Sequence, residues 1–394
     1  MTRPPWALRG ARVFDGHRLH RDSPVVVIEE HRVVTLDTSA SRSSDDLQVV
    51  DLGDVTLLPG LIDAHVHLAF DASVYHKVAD EDASTTLARM RSNAARQLRA
   101  GVTTVRDLGD RDYLALALRD EYAADPTAGP HVVASGPPIT RKGGHCSFLG
   151  GEADGIAAVE AAVRERIERG VDVIKVMATG GATTSSAWAL HESQYQFEEL
   201  AAATEVAHES GKRITAHAHG PRGIADAVAA GTDGIEHVSF FTEDGIDVDW
   251  RAVGDMARAG TFVGATDARL PEAALLTPQL RDRLGQRSAN FVRMHREGVR
   301  LVCCSDAGVG PGKPHGVLPR GIIHFSSIGL TNAEALASAT TVAAEACGVA
   351  DRKGRIAPGY DADIIAVAGD PLEDLNVLLD VRAVIRSGRA VTPL

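Results

Sequence analysis

The stretch Gly60-Leu61-Ile62-Asp63-Ala64-His65-Val66-His67 decides how the rest of the chain is read. It follows Leu57-Leu58-Pro59, an apolar run closed by a Pro-Gly break, and reads as a short buried strand entering a new domain. Residues two apart on a strand face the same side, so His65 and His67 project together. Two imidazoles on one side make half of a metal site. An isolated His-x-His also arises by accident, so the reading depends on whether later strands bring more ligands.

Upstream of Pro59, short β-rich runs alternate with turns. Val25 to Ile28 and Val33 to Leu36 flank Glu29-Glu30-His31 as a hairpin would, and Thr38 to Asp46 reads as an exposed loop. Downstream the pattern changes. Eight short apolar runs follow: Leu61 to His65, Val102 to Arg106, His131 to Ser135, Val171 to Met177, Arg213 to His217, Gly234 to His237, Thr261 to Ala265 and Arg300 to Ser305. Amphipathic helical stretches separate them, and a last helix, Asn332 to Cys347, follows the eighth run. Glycines such as Gly170 and Gly260 stand where a helix must stop before the next strand.

This alternation predicts an α/β fold, a (β/α)8 TIM-type barrel over residues 60–353. From 354 the β-rich character returns, with strands expected at Gly354 to Gly359, Asp363 to Ala366 and Ala383 to Ile385. Residues 1–59 and 354–394 are expected to form one small β-sandwich from both chain ends. An open doubly wound sheet would need a phosphate-type Gly loop after the first strand, where His65-Val66-His67 stands instead.

Composition narrows the class. The 394 residues are 44% apolar and 24% charged, ordinary values for a globular enzyme. A formal net charge of −12 disfavours a phosphate-backbone ligand and excludes nucleic acid as the expected partner. No apolar run approaches the roughly 20 residues of a membrane helix. Met1 to Trp6 lacks the apolar core of a secretion signal, so the cytoplasm is the expected compartment. Cys146, Cys303, Cys304 and Cys347 form no metal or disulfide framework and read as packed thiols.

In a barrel of this kind the reacting groups sit at the C-terminal ends of the strands. The first strand ends His65-Val66-His67, the fifth His217-Ala218-His219, the sixth Glu236-His237 and the eighth Ser305-Asp306. Lys175 lies within Val173-Ile174-Lys175-Val176-Met177, where a buried ammonium is costly unless paired or neutralised. Carbamylation by CO2 would turn it into a carboxylate able to bridge two cations. His217 or His237 alone would read as a core histidine, and Asp306 alone as a helix cap. Together they read as ligands. Glu236 is expected to face away from the pocket if His237 faces in.

The motifs Pro59 to His67, Val173 to Val176, Ala216-His217-Ala218-His219-Gly220, Ile235-Glu236-His237, Ser305 to Gly308 and Gly354 to Asp363 resemble successive signatures of the amidohydrolase superfamily. The resemblance covers essentially the whole chain and points to the branch related to Xaa-Pro dipeptidases and imidazolonepropionase. It implies a binuclear site with two divalent metal ions, zinc by ligand type. His65, His67 and Asp306 would hold one ion, and His217 and His237 the other. Carbamylated Lys175 and a hydroxide would bridge them. Asp306 would be general base and then acid in hydrolysis of an amide-type C–N bond of a peptide-like or N-acyl small molecule.

Gly143-Gly144-His145 resembles a segment that brings a histidine to the substrate carbonyl, so His145 is a candidate catalytic donor. His219 and Trp188 are candidate substrate residues. Many dipeptidase-like relatives carry Tyr at the position of His219, and that departure counts against a simple dipeptide substrate. Trp188 closes a long loop, Thr179 to Trp188, after the fourth strand. The alternative activity is a mononuclear deaminase or a cyclic amide or imidazolone-ring hydrolase. The sequence leaves the oligomeric state open, a homo-oligomer included.

Overall fold

The computed structural model describes residues 4–38, 47–72, 77–181, 188–271 and 278–391. The expected loop over 38–46 falls almost wholly outside these residues, as does most of the loop over 179–188.

Eight parallel strands follow Gly60: β1 (Leu61–Val66), β2 (Val102–Asp107), β3 (His131–Ala134), β4 (Val173–Met177), β5 (Arg213–Ala218), β6 (Gly234–His237), β7 (Phe262–Ala265) and β8 (Arg300–Cys303). They form a three-stranded sheet in the order β3-β2-β1 and a five-stranded sheet in the order β4-β5-β6-β7-β8. Backbone bonds join both ends of the two sheets. Asp306 N–H donates to His65 O at 2.8 Å, and His67 N–H to Ala307 O at 3.0 Å. On the other side Ile139 N–H donates to Lys175 O at 2.8 Å and Asp172 N–H to Ala134 O at 2.9 Å. Strands buried on both faces need continuous rather than alternating apolar sequence, and every residue of β1, β2, β4, β6 and β7 is buried.

Helices cover the outside: α1 (Ala83–Arg99), α2 (Leu114–Ala124), α3 (Ile156–Arg169), α4 (Phe197–Glu209), α5 (Pro221–Ala229), α6 (Trp250–Ala259), α7 (Pro278–Arg296), α8 (Leu318–Ile328), α9 (Asn332–Ala337) and α10 (Thr341–Ala346). The local rules are visible in α6. The Asp249 side chain accepts from the N–H groups of Arg251 and Ala252, a cap that contributes about 1 kcal/mol. Ala252, Val253 and Met256 form its buried stripe, and Gly260 ends it at φ 71°.

Two elements differ from the sequence expectation. The stretch read as one helix from Asn332 to Cys347 is broken between α9 and α10. There Ser338 and Thr340 turn their hydroxyls back onto Ala335 O and Leu336 O, and Thr340 leaves the helical region at φ −132°, ψ −92°. A further helix, α8, precedes them, with Pro319 in its first turn.

Strands from both chain ends make two more sheets. One is ordered Arg32–Asp37, Val25–Glu29, Trp6–Arg9, Gln48–Asp51. The other is ordered Arg389–Ala390, Val381–Arg386, Ile364–Ala368, Val55–Pro59, Arg12–Phe14, Leu19–His20. They share an apolar cluster that includes Leu8, Val26, Ile28, Leu57, Ile364 and Ile385. The expected hairpin pairs Val25–Glu29 with Arg32–Asp37. The expected strand at Gly354 to Gly359 is a run of turns, because both glycines sit at positive φ, 84° and 88°. Val55–Pro59 pairs antiparallel with Ile364–Ala368 and runs through Gly60 directly into β1.

Candidate active site

A cavity of about 410 Å³ opens at the C-terminal ends of the strands. Its wall includes His65, His67, His145, Lys175, His217, His219, His237 and Asp306, which sequence reasoning had singled out across six separate segments.

The donors fall into two groups. Ligand atoms of His65, His67 and Asp306 lie within 4.8 Å of one another, and so do those of His217, His219 and His237. Asp306 Oδ1 is 3.5 Å from His65 Nε2 and 3.4 Å from His67 Nε2. The ring centroids of His65 and His237 stand 5.1 Å apart, which brings the two groups side by side. His237 directs Nδ1 to Thr266 Oγ1 at 2.9 Å, and His219 directs Nδ1 to Ser239 Oγ at 3.0 Å. His217 Nε2 faces Gly180 O at 3.0 Å, so its Nδ1 keeps the lone pair. His219, read from sequence as a substrate residue, thus stands as a third imidazole beside His217 and His237.

Burial sets the charge states. It lowers His65 to about 4, with the Lys175 charge adding to the effect. His217, His219 and His237 are likewise driven well below the ordinary value, chiefly by burial and then by neighbouring cations and imidazoles. These rings are neutral at pH 7 and present lone pairs rather than protons. Asp306 behaves in the opposite way. Burial opposes its ionisation, but the His67 hydrogen bond and the Lys313 ammonium outweigh it and hold the carboxyl far below its usual range.

Lys175 is 1% exposed, and its Nζ has no hydrogen-bond partner among the described residues. Burial lowers it from 10.5 to about 8, which brings free amine within reach near neutrality. A neutral imidazole set, an ionised carboxylate and an orphaned amine in one cavity fit divalent-cation binding far better than they fit a packed core.

His145 is buried, its ring 4.6 Å from that of His217, and its backbone N–H donates to Gln194 Oε1 at 2.6 Å. Burial and the Lys175 charge push it down to about 3, so it too is neutral. Gly181 passes directly over this ring. A Cβ there would lie 2.2 Å from His145, so only glycine fits. Trp188 is not among the lining residues. It lies 5.9 Å from the Arg141 guanidinium carbon.

Sequence reasoning missed three cations in the same wall, Arg269, Arg287 and Lys313. Arg269 and Arg287 share one buried acid, Asp267. Lys313 donates to Thr266 O at 2.7 Å and Ser305 O at 2.8 Å. They lie in segments after β7 and β8 that carry no recognisable pattern. His324 is half-buried on α8 and meets Ser288 Oγ at 3.2 Å.

Glu236 corrects an expectation. It does not face away but lies inside the ring of strands, 1% exposed, with Oε2 2.8 Å from His65 Nδ1. Strand alternation should send its neighbour His237 to the opposite face. His237 and Val238 instead adopt left-handed φ values, 74° and 40°, and the turn brings His237 to the cavity as well.

Comparison with known proteins agrees with this architecture. Residues 56–391 match the profile of the Amidohydrolase family. The ochratoxinase of Aspergillus niger is 30% identical over 369 residues, covering 83% of this chain and 73% of that one. A crystal structure of a Xaa-Pro dipeptidase with methionine bound in its active site is 28% identical, with a TM-score of 0.86 over 98% of this chain and 99% of that one. The imidazolonepropionase of Colwellia psychrerythraea is 23% identical, covering 82% of this chain and 78% of that one.

Proposed function

Because the chain belongs to the amidohydrolase family, we propose that it is a metal-dependent hydrolase of an amide-type C–N bond in a small molecule. The observation that carries this reading is the pair of donor groups, His65/His67/Asp306 and His217/His219/His237, in one cavity with an orphaned Lys175. His65, His67 and Asp306 would hold one ion. His217 and His237, with His219 beside them, would hold the second. Attack of the neutral Lys175 amine on CO2, with loss of a proton, would give a carbamate that bridges the two. Two divalent ions, zinc by donor chemistry, supply when bound a Lewis acid for the scissile carbonyl and a water ionised near neutrality.

The protein's own groups do the rest. Asp306, held ionised, takes the proton of the attacking water and returns it to the leaving nitrogen. The neutral His145 donates a hydrogen bond to the carbonyl oxygen as negative charge develops there. Arg269 and Arg287 outnumber the one acid they share, and Lys313 stands in the same wall beside Asp306, which favours a peptide-like or N-acyl substrate bearing a carboxylate. The same reading takes residues 60–353 as a closed barrel and the two chain ends as one β-sandwich.

The test is metal counting on the purified protein together with hydrolysis screens over dipeptides, N-acyl amino acids and lactams. Near two ions per chain with amide hydrolysis is expected. Near one ion, with deamination or ring opening only, would replace this reading by the mononuclear one.

A further inference from the structure

Glu236 has the most elaborate setting of any side chain that the proposed chemistry leaves without a task. Its carboxylate is wholly inside the protein, yet both oxygens are satisfied. Oε2 meets His65 Nδ1 at 2.8 Å. Oε1 accepts from Arg106 at 2.9 Å and from the Thr215 hydroxyl at 2.7 Å. The partners come from three different strands, β1, β2 and β5, and the carboxylate from β6. Arg106 is clamped in turn, donating to Ala64 O at 2.6 Å and Ala346 O at 3.2 Å. On β7 the residue in register with Glu236 is Gly264, and a Cβ there would lie 1.9 Å from Oε2. Five strands therefore contribute to the seat of one buried charge.

The seat dictates how His65 is used. A carboxylate can only accept, so the His65 nitrogen facing it must be N–H. The proton is held on Nδ1, and Nε2 is left with its lone pair, pointing towards Asp306 at 3.5 Å. The other imidazoles have weaker partners behind them, a carbonyl for His67 at 3.3 Å and hydroxyls for His219 and His237. Among the five histidines of the two donor groups, only His65 has a carboxylate behind it, and an anion there makes the opposite nitrogen a stronger donor.

We propose that Glu236, seated by Arg106, Thr215 and Gly264, is the positioning residue that fixes the tautomer and donor strength of His65 for a metal ion. The inference rests on the functional reading above. It also predicts why Glu236→Gln is not a neutral exchange. The amide oxygen must face Arg106, which only donates, so the NH2 group faces His65. His65 Nδ1 must then become the acceptor, and its proton moves to Nε2, the wrong nitrogen for ligation.

The experiment uses the full chain with zinc as the probe. Chelator competition on the wild type and on Glu236→Gln should show one of two bound ions weakened by about 10–100-fold, with the other unchanged. Thr215→Ala, which removes one bond from the seat and leaves the carboxylate facing His65, should weaken the same ion by a clearly smaller factor than Glu236→Gln. If Glu236→Gln does not fold, histidine 15N spectra of the metal-free wild type, with His65→Gln to assign the signal, decide the matter. Protonated Nδ1 and bare Nε2 support the proposal. Protonated Nε2, or zinc affinity unaltered in Glu236→Gln, or equal weakening in Thr215→Ala, overturns it. A wild type that binds no metal would instead sink the functional reading.

Discussion

Lys313 Nζ lies 4.0 Å from Asp306 Oδ2, while the same ammonium is bonded to the carbonyls of Thr266 and Ser305 at the ends of β7 and β8. A cation anchored by backbone carbonyls cannot swing away, so it acts on Asp306 as a fixed charge. The proton acceptor and one of the three cations that would meet an anionic substrate therefore come from one short segment after β8.

Lys175→Ala is expected to lose bound metal and hydrolysis together, because the cavity then lacks the unpartnered amine proposed to become the bridging carboxylate. A short carboxylic acid added with the metal should restore part of both. Metal analysis and activity on the same preparation check this. Full metal content with full activity in the variant would remove the bridge from the mechanism.

His145→Ala should lower kcat by roughly 10²–10³ with metal content unchanged, the loss expected for one donor to a developing oxyanion. Gly181→Ala should reproduce much of that loss, since its new Cβ would displace the His145 ring from 2.2 Å away. Steady-state kinetics separates the outcomes. A change in KM alone would place His145 in binding rather than catalysis.

Arg269→Met should raise KM for carboxylate-bearing amides by about 10-fold or more, the worth of a lost charge-assisted bond. The uncharged amide of the same substrate should scarcely notice the change. Asp267 keeps Arg287 as its partner, so the fold should survive. Equal effects on both substrates would remove Arg269 from carboxylate recognition.

Lys353 tests the sheets formed by the chain ends. Its buried ammonium meets Asp361 at 2.9 Å and Asp363 at 2.5 Å. Burial pushes Asp363 up, but Lys353 and Arg386 outweigh it and bring the carboxyl from 3.8 to about 2. A lowered carboxyl adds stability above its unfolded value and loses it as pH falls, so this contribution should fade between pH 3.8 and about 2. Lys353→Met should cost about 1–3 kcal/mol at pH 7, because the buried Asp363 loses its nearest cation while Asp361 keeps Arg352 at 3.2 Å. The gap to wild type should narrow on acidification through that window. Denaturant unfolding at several pH values measures it, and a gap that stays constant would show that packing rather than charge holds the site.

The strand–helix alternation and the ligand-type strand ends were legible in the sequence because both are periodic or local signals. Glu236 was not. Two-residue alternation assigns it and His237 to opposite faces, and only the left-handed turn at His237 and Val238 puts both to use. Arg269, Arg287 and Lys313 were hidden for another reason. They converge from a loop, a helix and a second loop, and no linear spacing encodes that meeting. The break between α9 and α10 was hidden because Ser338 and Thr340 tolerate a helix as readily as they interrupt one.

The ladder between Val55–Pro59 and Ile364–Ala368 has a bearing on how the molecule is born. The segment that carries His65 and His67 leaves the ribosome long before residues 364–368, yet the strand feeding it gains its neighbour on one side only when those residues emerge. The first cavity imidazoles made are thus steadied by backbone made after every other lining residue, and a ribosome stalled short of residue 364 would hold a chain with its cavity still unframed.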